Sequence, residues 1–440
     1  MKYLILSLVA SLICCQPPDE KEIENMQPDP HSFSVPDKAK VTHLRWNANV
    51  DFSLKVIEAT AEWDIQFRPG VHEIVLDTKG VLIKEVRTNG EQQTNFTLDK
   101  IDPLLGQALR IPIKEDTKSI SISYETQVGA EALQWLGSHQ TDGKKQPFLF
   151  TQSQAILARS WIPCQDSPGV RFTYEADVTV PRELLPLMSA SNPQVKNKTG
   201  SYHFEMKQPI PSYLLALAVG DVEFKPVSDR AGIYAETSVL DSAVWEFADL
   251  EKMIQGAEDL YGAYLWERYD VLVLPPSFPF GGMENPRLTF ATPSILAGDR
   301  SLTSLIAHEL AHSWSGNLVT NRTWNDFWLN EGFTVYFEHR IMEKLYGRDY
   351  AEMLALLSLQ DLRETIQSLK DDNLYPDTKL KLDLEGRNPD DGVTDIAYNK
   401  GYFFLRLFEE KYGREKFDSF LKQYFSSNAF RSLDTQDFIV

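Results

Sequence analysis

Cysteine and positive charge are the two things that this sequence has little of. Only 3 of its 440 residues are cysteine, and Cys14 and Cys15 are adjacent near the N-terminus, so that Cys164 alone lies in the body of the chain. A framework of intramolecular disulfides is therefore excluded. Lysine and arginine number 44 against 63 aspartate and glutamate residues, a net charge of −19. Because nucleic acid repels an acidic protein, we expect no nucleic acid partner.

The sequence also has no apolar run near its N-terminus that is long enough to cross a membrane. The stretch from Tyr3 to Ile13 is too short for a mature spanning helix, but its length suits an export signal. Leu12-Ile13-Cys14-Cys15 resembles a bacterial lipobox, with Cys15 as the lipidated residue, and an ordinary secretory signal is the alternative. We expect a signal peptide over residues 1–15, a flexible acidic tether over 16–32, and export to a bacterial cell envelope with a lipid anchor at Cys15.

The body of the chain divides into a strand-rich half and a helix-rich half. At 440 residues it is long enough for two or three domains with a sizeable core. Short apolar or alternating segments separated by Gly, Pro and Asp predict strands, at Phe52–Val56, Glu73–Leu76, Val81–Ile83, Ser119–Tyr124, Phe172–Val178 and Tyr213–Val219. Helical periodicity dominates from about residue 239, apart from strands at Tyr269–Leu274 and Leu288–Phe290. We therefore predict an N-terminal antiparallel β domain over 33–228 and a mainly helical domain over 229–440, an α+β multidomain fold.

The pattern His308-Glu309-Leu310-Ala311-His312 is the most informative motif. On a helix, histidines four residues apart lie on one face and can bind one metal ion. The glutamate between them can take a proton from a water that the metal activates, as in zinc hydrolases. The alternative is an amphipathic helix whose histidines are merely packed or exposed.

A third candidate ligand follows one loop later. Asn325–Gly332 opens a second predicted helix, which Gly347 would end, and Glu331 lies in its first turns. Two adjacent helices would then present His308, His312 and Glu331 to one ion, leaving a position open for water. Alternatively, Glu331 is a surface glutamate that favours the helix N-terminus because of the helix dipole.

Several motifs together resemble a known family. His308-Glu309-x-x-His312 followed after eighteen residues by Glu331 is similar to the signature of the gluzincin zinc aminopeptidases. Pro279–Pro286, Trp314–Asn321 and Phe327–Gly332 resemble the branch that contains leukotriene hydrolase and aminopeptidase B. The resemblance extends over about residues 33 to 440. It implies a thermolysin-like catalytic domain, one Zn²⁺ per chain, and peptide substrates with a free N-terminus.

The same resemblance implies the substrate contacts. Gly281-Gly282-Met283-Glu284-Asn285 matches the exopeptidase motif, in which Glu284 binds the substrate's amine and the glycines let an extended peptide approach; taken alone, this segment is equally compatible with a turn before a strand. Gln154 and Ala155, in Thr151–Ala155, match residues that line the pocket for the first residue. Ser153 and Phe280 are further candidates for the pocket wall.

The resemblance also implies the group that stabilises the transition state. Tyr398 corresponds to the family's tyrosine, which donates a hydrogen bond to the developing oxyanion. Asp390 aligns with an acidic residue of the epoxide reaction of leukotriene hydrolase, but Val393 stands where that enzyme has a tyrosine. Glu338 could accept a hydrogen bond from a ligand histidine, although a solvated helix face is the simpler expectation.

The overall prediction is a zinc aminopeptidase that hydrolyses N-terminal residues with metal-activated water. Two alternatives are a lipid-epoxide hydrolase on the same scaffold and a non-catalytic, peptide-binding lipoprotein. Relatives continue into an all-helical C-terminal domain, which we expect to be absent from this sequence, either because the record is truncated or because the form is naturally short.

Overall fold

A computed structural model describes residues 28–90 and 92–439 of the chain. The predicted signal peptide at 1–15, with Cys15, and most of the predicted tether lie outside the described residues. Among the helices of the described part, none is both long enough and apolar enough to cross a membrane.

The first half of the described chain consists of β-strands arranged in three sheets. Its strands are β1 (Ala39–Asp51), β2 (Val56–Phe67), β3 (Glu73–Thr78), β4 (Val81–Thr88), β5 (Gln92–Gln93), β6 (Thr97–Leu98), β7 (Gln107–Pro112), β8 (Ser119–Thr126), β9 (Leu133–Leu136), β10 (Phe148–Thr151), β11 (Arg171–Thr179), β12 (Leu185–Met188), β13 (Ser201–Pro211) and β14 (Leu217–Gly220). The large sheet has the order β13-β11-β1-β2-β8-β4-β5, and the smaller ones β12-β14-β10-β9 and β3-β7-β6. The predicted antiparallel domain is confirmed except at one pair, because β1 and β11 run parallel.

The long hairpin of β1 and β2 forms the middle of the large sheet. Side chains of β1 alternate between buried and more exposed positions, as a strand with one face on the core requires. Trp46 and Trp63 point inward from the two strands, and Trp46 Nε1 donates to the hydroxyl of Tyr124 at 2.9 Å. Sequence analysis missed both strands, although the apolar residues of each alternate with polar ones as in a half-buried strand.

The strand predicted at Phe52–Val56 is wrong over most of its length, because residues 52–55 form the turn of this hairpin. The Asp51 side chain accepts hydrogen bonds from the backbone N–H groups of Ser53 and Leu54 at 2.7 and 2.9 Å. Lys55 has a φ of 55°. These local contacts outweigh the apolar character of the segment. The segment predicted as Tyr213–Val219 is a strand only from Leu217, after a 3₁₀ turn at Ser212–Leu214.

The described end of the predicted tether is packed rather than flexible, which corrects that prediction for residues 28–32. His31 is fully buried, and its Nε2 lies 3.0 Å from the carbonyl oxygen of Leu384. Ser32 donates to the Asp77 carboxylate at 2.6 Å. These partners are distant in sequence, so the polarity of the segment did not reveal them.

The second half combines a mixed sheet with helices. It contains β15 (Val222–Pro226), β16 (Ala231–Glu236), α1 (Thr237–Glu246), α2 (Leu250–Tyr261), β17 (Tyr269–Val273), β18 (Gly282–Met283), β19 (Leu288–Ala291), α3 (Ser304–Ala311), β20 (Val319–Asn321), α4 (Trp328–Tyr346), α5 (Arg348–Asp371), a π turn (Ile396–Lys400), α6 (Gly401–Tyr412), α7 (Arg414–Ser427), β21 (Arg431–Leu433) and α8 (Thr435–Ile439). The five-stranded sheet has the order β15-β16-β17-β19-β18, so β18 forms its edge. Strand β14 ends the β-rich half and β15 already pairs with β16 in the five-stranded sheet, so the sheets of the two halves meet at residue 221. The predicted domain boundary at 228 stays a prediction.

Helix α4 runs through the centre of the helical half. It is buried along most of its length, including Phe333, Phe337 and Ile341, because α2, α3, α5 and α6 all pack against it. Such a helix is apolar on several faces rather than on one stripe. Its first turn therefore lies deep in the molecule, where it meets α3.

Candidate active site and metal centre

Two histidines at the end of α3 and one glutamate at the start of α4 converge on one point. His308 lies in α3 and His312 caps it, so the two imidazoles are one turn apart on the same face. Their Nε2 atoms are 3.2 Å apart. The Oε2 atom of Glu331 lies 3.3 Å from Nε2 of His308 and 3.5 Å from Nε2 of His312. The predicted ligand set is therefore assembled.

This triangle of donor atoms fits a zinc ion. Bonds of about 2.0–2.2 Å in a tetrahedron separate neighbouring ligand atoms by roughly 3.3–3.6 Å, close to the distances between these three atoms. Oε2 of Glu331 is buried and has no hydrogen-bond partner among the described residues, which a cation would remedy. Two imidazoles and one carboxylate are the donor set of catalytic zinc sites, which keep a fourth position open. The cofactor of this site is one zinc ion per chain.

Each histidine forms a hydrogen bond through its Nδ1 atom to an acceptor on the side of the ring away from the metal site. Nδ1 of His308 donates to Oε2 of Glu338 at 3.0 Å, and Nδ1 of His312 donates to the carbonyl oxygen of Ser315 at 3.0 Å. These bonds leave each Nε2 free to face the metal. Glu338 lies two turns after Glu331 on α4, and it is half-buried against His308 rather than solvated, so the expectation of a solvated face was wrong.

Thr334 is a site residue that sequence analysis missed. Its Oγ1 lies 3.1 Å from Nδ1 of His312, and its hydroxyl has two carbonyl acceptors within reach, Asn330 O at 2.9 Å and Ser315 O at 3.2 Å. It thereby fixes the end of α3 against the first turn of α4. Its position one turn after Glu331 was the only signal in the sequence, and threonines in that position are common.

Glu309 lies where a general base is needed. It is buried, and its Oε2 has no hydrogen-bond partner among the described residues. Burial, together with the charges of Glu284 and Glu331, raises the pKa of this carboxyl well above its usual value, against the opposing effect of His308. A Cβ on Gly282 would lie 2.3 Å from Oε1 of Glu309, so β18 can pass the carboxylate only because that residue is glycine.

Glu284 follows β18 and points to the same space. It is buried, and its Oε1 also has no hydrogen-bond partner in the described part of the chain. Ligand atoms of Glu284, Glu309 and His312 all lie within 4.8 Å of one another. Asn317 donates through Nδ2 to the backbone carbonyl of Glu284 at 2.8 Å and so fixes this turn. Burial raises the pKa of Glu284, and the charge of Glu331 adds to this effect.

The rest of the predicted exopeptidase motif surrounds Glu284. Gly282 and Met283 form the edge strand β18, and Gly281, which precedes them, is exposed. Asn285 is buried with no partner in the described chain for its Nδ2, and Phe280 is 49% exposed. An exposed aromatic beside an edge strand suits a pocket wall more than a core.

The segment Thr151–Ala155 lies against this motif. Nε2 of Gln152 is 3.3 Å from Sδ of Met283, which joins the two segments, and Gln154 is partly exposed beside buried Ala155. Ser153 has a structural role, since its hydroxyl donates to Leu215 O at 2.9 Å and accepts from Trp161 Nε1 at 3.1 Å. The prediction of Ser153 as a pocket residue is therefore not supported by its contacts.

Asp390 reaches the same segment from the loop before the π turn. Its carboxylate accepts from the backbone N–H of Ala155, and its own N–H donates to Asn388 Oδ1 at 3.1 Å. Val393, near it in this loop, is 40% exposed. The structure thus brings Asp390 beside the segment that contains Gln154, although the two are far apart in sequence.

Tyr398, in the π turn, lies over the metal ligands. Its ring is nearly parallel to that of His308, with centroids 6.2 Å apart, and it meets Phe327 edge-on at 6.0 Å. Its hydroxyl interacts with the Glu331 carboxylate. Burial first, and then the charges of Glu331 and Glu284, raise the pKa of Tyr398 well above its usual value. The phenol therefore stays protonated and can donate a hydrogen bond.

Comparison with known proteins agrees with this geometry. Residues 40–214 match the peptidase M1 N-terminal domain, and residues 245–440 match the peptidase family M1 domain. The chain is 43% identical over 421 residues to a leukotriene A-4 hydrolase of Xenopus laevis, covering 93% of this chain and 69% of that protein. It is 41% identical over 446 residues to leucine aminopeptidase 2 of Yarrowia lipolytica, covering 99% of this chain and 67% of that protein.

A solved structure shares the fold across both halves. The structure of a yeast LTA4 hydrolase in complex with bestatin superposes with a TM-score of 0.89 at 38% identity, covering 96% of this chain and 67% of that chain. The match includes the β-rich half as well as the helical half that carries the zinc ligands. On this evidence, the chain belongs to the M1 family of zinc peptidases.

Proposed function

We propose that this zinc aminopeptidase releases N-terminal residues from peptides, with Glu309 as general base and Glu284 as the anchor of the substrate's amine. The observation that carries the proposal is the placement of two buried carboxylates beside the zinc ligands, each with an oxygen that has no hydrogen-bond partner within residues 28–90 and 92–439. Glu309 lies on α3 between the two histidine ligands. Glu284 directly follows the edge strand β18, where the N-terminus of a bound peptide would lie.

Glu284 accounts for the selectivity for a free N-terminus. A protonated amine offers three donors, and the buried Glu284 carboxylate, whose Oε1 has no partner in the described part of the chain, binds it by charge-assisted hydrogen bonds. Gln154 supplies an amide oxygen without charge, so the electrostatic part of the recognition rests on Glu284. The edge strand β18 offers backbone groups to an extended peptide, which fixes the first peptide bond relative to the metal site.

Proton transfer belongs to Glu309. When bound, Zn²⁺ acts as a Lewis acid that lowers the pKa of water and polarises the peptide carbonyl. Glu309 takes the proton from the attacking water and then gives it to the leaving amine. Its raised pKa suits the first step, because a carboxylate that holds a proton more tightly is a stronger base than one in water.

Tyr398 supports the carbonyl oxygen while negative charge builds on it. Its protonated hydroxyl lies beside the Glu331 carboxylate, at the edge of the metal site. A donor already in place needs no reorganisation when the charge develops. It therefore stabilises the transition state more than it stabilises the bound substrate, and this difference lowers the barrier.

A matched pair of substrates tests the amine assignment. A fluorogenic leucyl amide and its N-acetylated form differ only in the charge that Glu284 would bind. We expect turnover of the free amine alone, and Glu284→Gln should raise KM strongly. Equal cleavage of both forms would rule out exopeptidase selectivity.

A second variant tests the base. Glu309→Gln keeps the size of the side chain but removes the proton acceptor, so we expect full zinc content and a loss of kcat of about 10²–10⁴-fold. The matched control is Glu364→Gln on the exposed face of α5. Retained turnover with full zinc would refute the role of Glu309.

An epoxide hydrolase activity is the second candidate. The relative from Xenopus laevis is named leukotriene A-4 hydrolase. Asp390, the acidic residue that an epoxide reaction would use, lies beside Ala155 in the substrate-binding segment. Incubation with an allylic epoxide and analysis for a diol tests it; absence of the diol with an active peptidase would exclude it. A non-catalytic binding role is disfavoured by the complete set of ligands, base and tyrosine.

The cell-envelope location is a separate proposal that rests on the N-terminal sequence alone. We infer that Cys15 carries the lipid anchor. Partition of the full chain between membrane and soluble fractions, compared with Cys15→Ala, tests this inference. Release of the variant is expected, and identical partition would contradict it.

A further inference from the structure

The backbones of helices α4 and α6 are in close contact at two glycines beside the active site. Gly332 directly follows the zinc ligand Glu331, and Gly401 begins α6 directly after the π turn that contains Tyr398. A Cβ on Gly332 would lie 2.7 Å from Cα and 3.0 Å from the carbonyl carbon of Gly401. A Cβ on Gly401 would lie 2.7 Å from Cα of Gly332. The atoms in contact belong to backbone on both sides and cannot rotate away.

Backbone conformation does not explain these glycines. Gly401 has φ −57° and ψ −49°, the values of an ordinary helical residue, and Gly332 lies inside α4. In such positions glycine destabilises a helix by about 1 kcal/mol relative to alanine. What both glycines provide is the close approach of the two backbones.

That approach determines where Tyr398 lies. The π turn continues into α6 without a break, so a displacement of α6 moves the tyrosine with it. The other helix carries Glu331, whose carboxylate interacts with the Tyr398 hydroxyl. The separation of the phenol from the zinc ligands is therefore set by the distance between Gly332 and Gly401.

We propose that Gly332 and Gly401 are positioning residues, which hold the Tyr398 hydroxyl within hydrogen-bonding distance of the reacting carbonyl oxygen. The proposal rests on the oxyanion role of Tyr398 in the function proposed above. Carbon atoms in contact lie about 3.5–4.0 Å apart, so an alanine at either position must move α6 by on the order of 1 Å. A displacement of that size is enough to lose roughly 10²-fold in rate while binding of the substrate's amine at Glu284 is unaffected.

The primary variant is Gly401→Ala, with Gly256→Ala as the control. Gly256 is also helical, in α2, but a Cβ there would meet only the flexible Lys344 side chain at 3.5 Å. We expect Gly401→Ala to keep its zinc, its Tm within a few degrees and its KM, while kcat falls roughly 10²-fold. Affinity for a phosphinic dipeptide, whose tetrahedral oxygens resemble the transition state, should fall in parallel. Gly256→Ala should match the unmodified enzyme in zinc content, KM, kcat and phosphinic dipeptide affinity, with a Tm that is equal or slightly higher.

A double-mutant cycle with Tyr398→Phe separates positioning from general damage. If Gly401 acts through the tyrosine, adding Gly401→Ala to Tyr398→Phe should change kcat and phosphinic dipeptide affinity less than twofold. The full loss in the Tyr398→Phe background would overturn the positioning role and leave the oxyanion role of Tyr398 intact. A Tyr398→Phe enzyme with unchanged kcat would instead remove the oxyanion role, and this inference with it.

A failure to fold is also informative. Should Gly401→Ala lose its zinc or its cooperative unfolding, Gly332→Ala is taken through the same cycle. Loss of folding in both variants would overturn the inference, because the crossing would then serve stability rather than placement of the tyrosine.

Discussion

At the scale of single residues, the site is a group of buried acids whose environments differ. Burial raises the pKa of Glu309 and Glu284, whereas for Glu331 the charges of His312 and His308 outweigh burial and lower it. The raised pKa of Glu309 suits proton transfer, and the lowered pKa of Glu331 suits a charged metal ligand. Glu338 has a structural role, since its hydrogen bond with Nδ1 of His308 fixes the orientation of that imidazole.

The role of Glu338 can be measured through zinc affinity. Glu338→Gln leaves an amide that holds His308 less strongly, so we expect zinc to bind about 10–100-fold more weakly. Competition with a chromogenic chelator gives the affinity directly. Glu343→Gln, further along α4 and paired with Arg414, is the control. Unchanged affinity in Glu338→Gln would show that the bond to His308 is not needed.

At the scale of elements, polar contacts attach the peripheral helices to the strands. Arg230, just before β16, binds Glu258 on α2 through both guanidinium Nη atoms at 2.9 and 2.6 Å. It also contacts Glu251, two turns earlier on the same face of α2, at 3.1 Å. The hydrogen bonds from Arg230 lower the pKa of Glu258. This contact holds α2 against the sheet, and α2 in turn packs on α4.

The lowered pKa of Glu258 makes this attachment sensitive to acid. The unfolded pKa of a glutamate is about 4.3, and the pKa of Glu258 in the folded protein lies below its unfolded value. Such a carboxyl stabilises the fold fully when the pH is above the unfolded pKa, and this contribution is lost as the pH falls through the folded pKa. We therefore expect Arg230→Gln to lower Tm at pH 7 and to have a smaller effect at pH 4. Thermal unfolding at the two values checks this, with Arg348→Gln, an exposed residue of α5, as the control. An equal shift at both pH values would contradict the assignment.

At the scale of the whole molecule, the β-rich and helical halves share one continuous hydrophobic core. Arg171 on β11 joins them, since its guanidinium donates to Asn317 O and Thr320 Oγ1 at 2.6 Å each and to Pro209 O at 2.7 Å. Burial lowers the pKa of Arg171 to about 10, so it remains charged at neutral pH. Asn317 in turn holds the backbone of Glu284. The β-rich half therefore contributes to placing the amine anchor.

Removal of this link should affect both stability and substrate binding. Arg171→Met leaves buried carbonyls without donors, and we expect a loss on the order of 2–3 kcal/mol in stability together with a raised KM. Urea unfolding and steady-state kinetics measure the two effects. Arg182→Met, an exposed residue next to the end of β11, is the control. A lower stability with unchanged KM would confine Arg171 to a structural role.

The sequence by itself determined the zinc ligands and the base, and also much of the strand pattern. His308, Glu309 and His312 are placed by one helical turn, and β3, β8, β11, β17 and β19 follow from local alternation or apolar runs. Signals of this kind depend only on neighbours along the chain, which is why they survive without tertiary information.

Only the tertiary structure decided which distant groups meet. The parallel pairing of β1 with β11, the burial of His31, the contact of Asp390 with Ala155, the bond from His308 to Glu338 and the crossing of Gly332 with Gly401 join segments that no local pattern relates. A polar side chain does not reveal its partner in the sequence because water can satisfy it, and a glycine does not reveal which backbone will pack against it. Their roles emerge when packing removes that water and leaves one partner within reach.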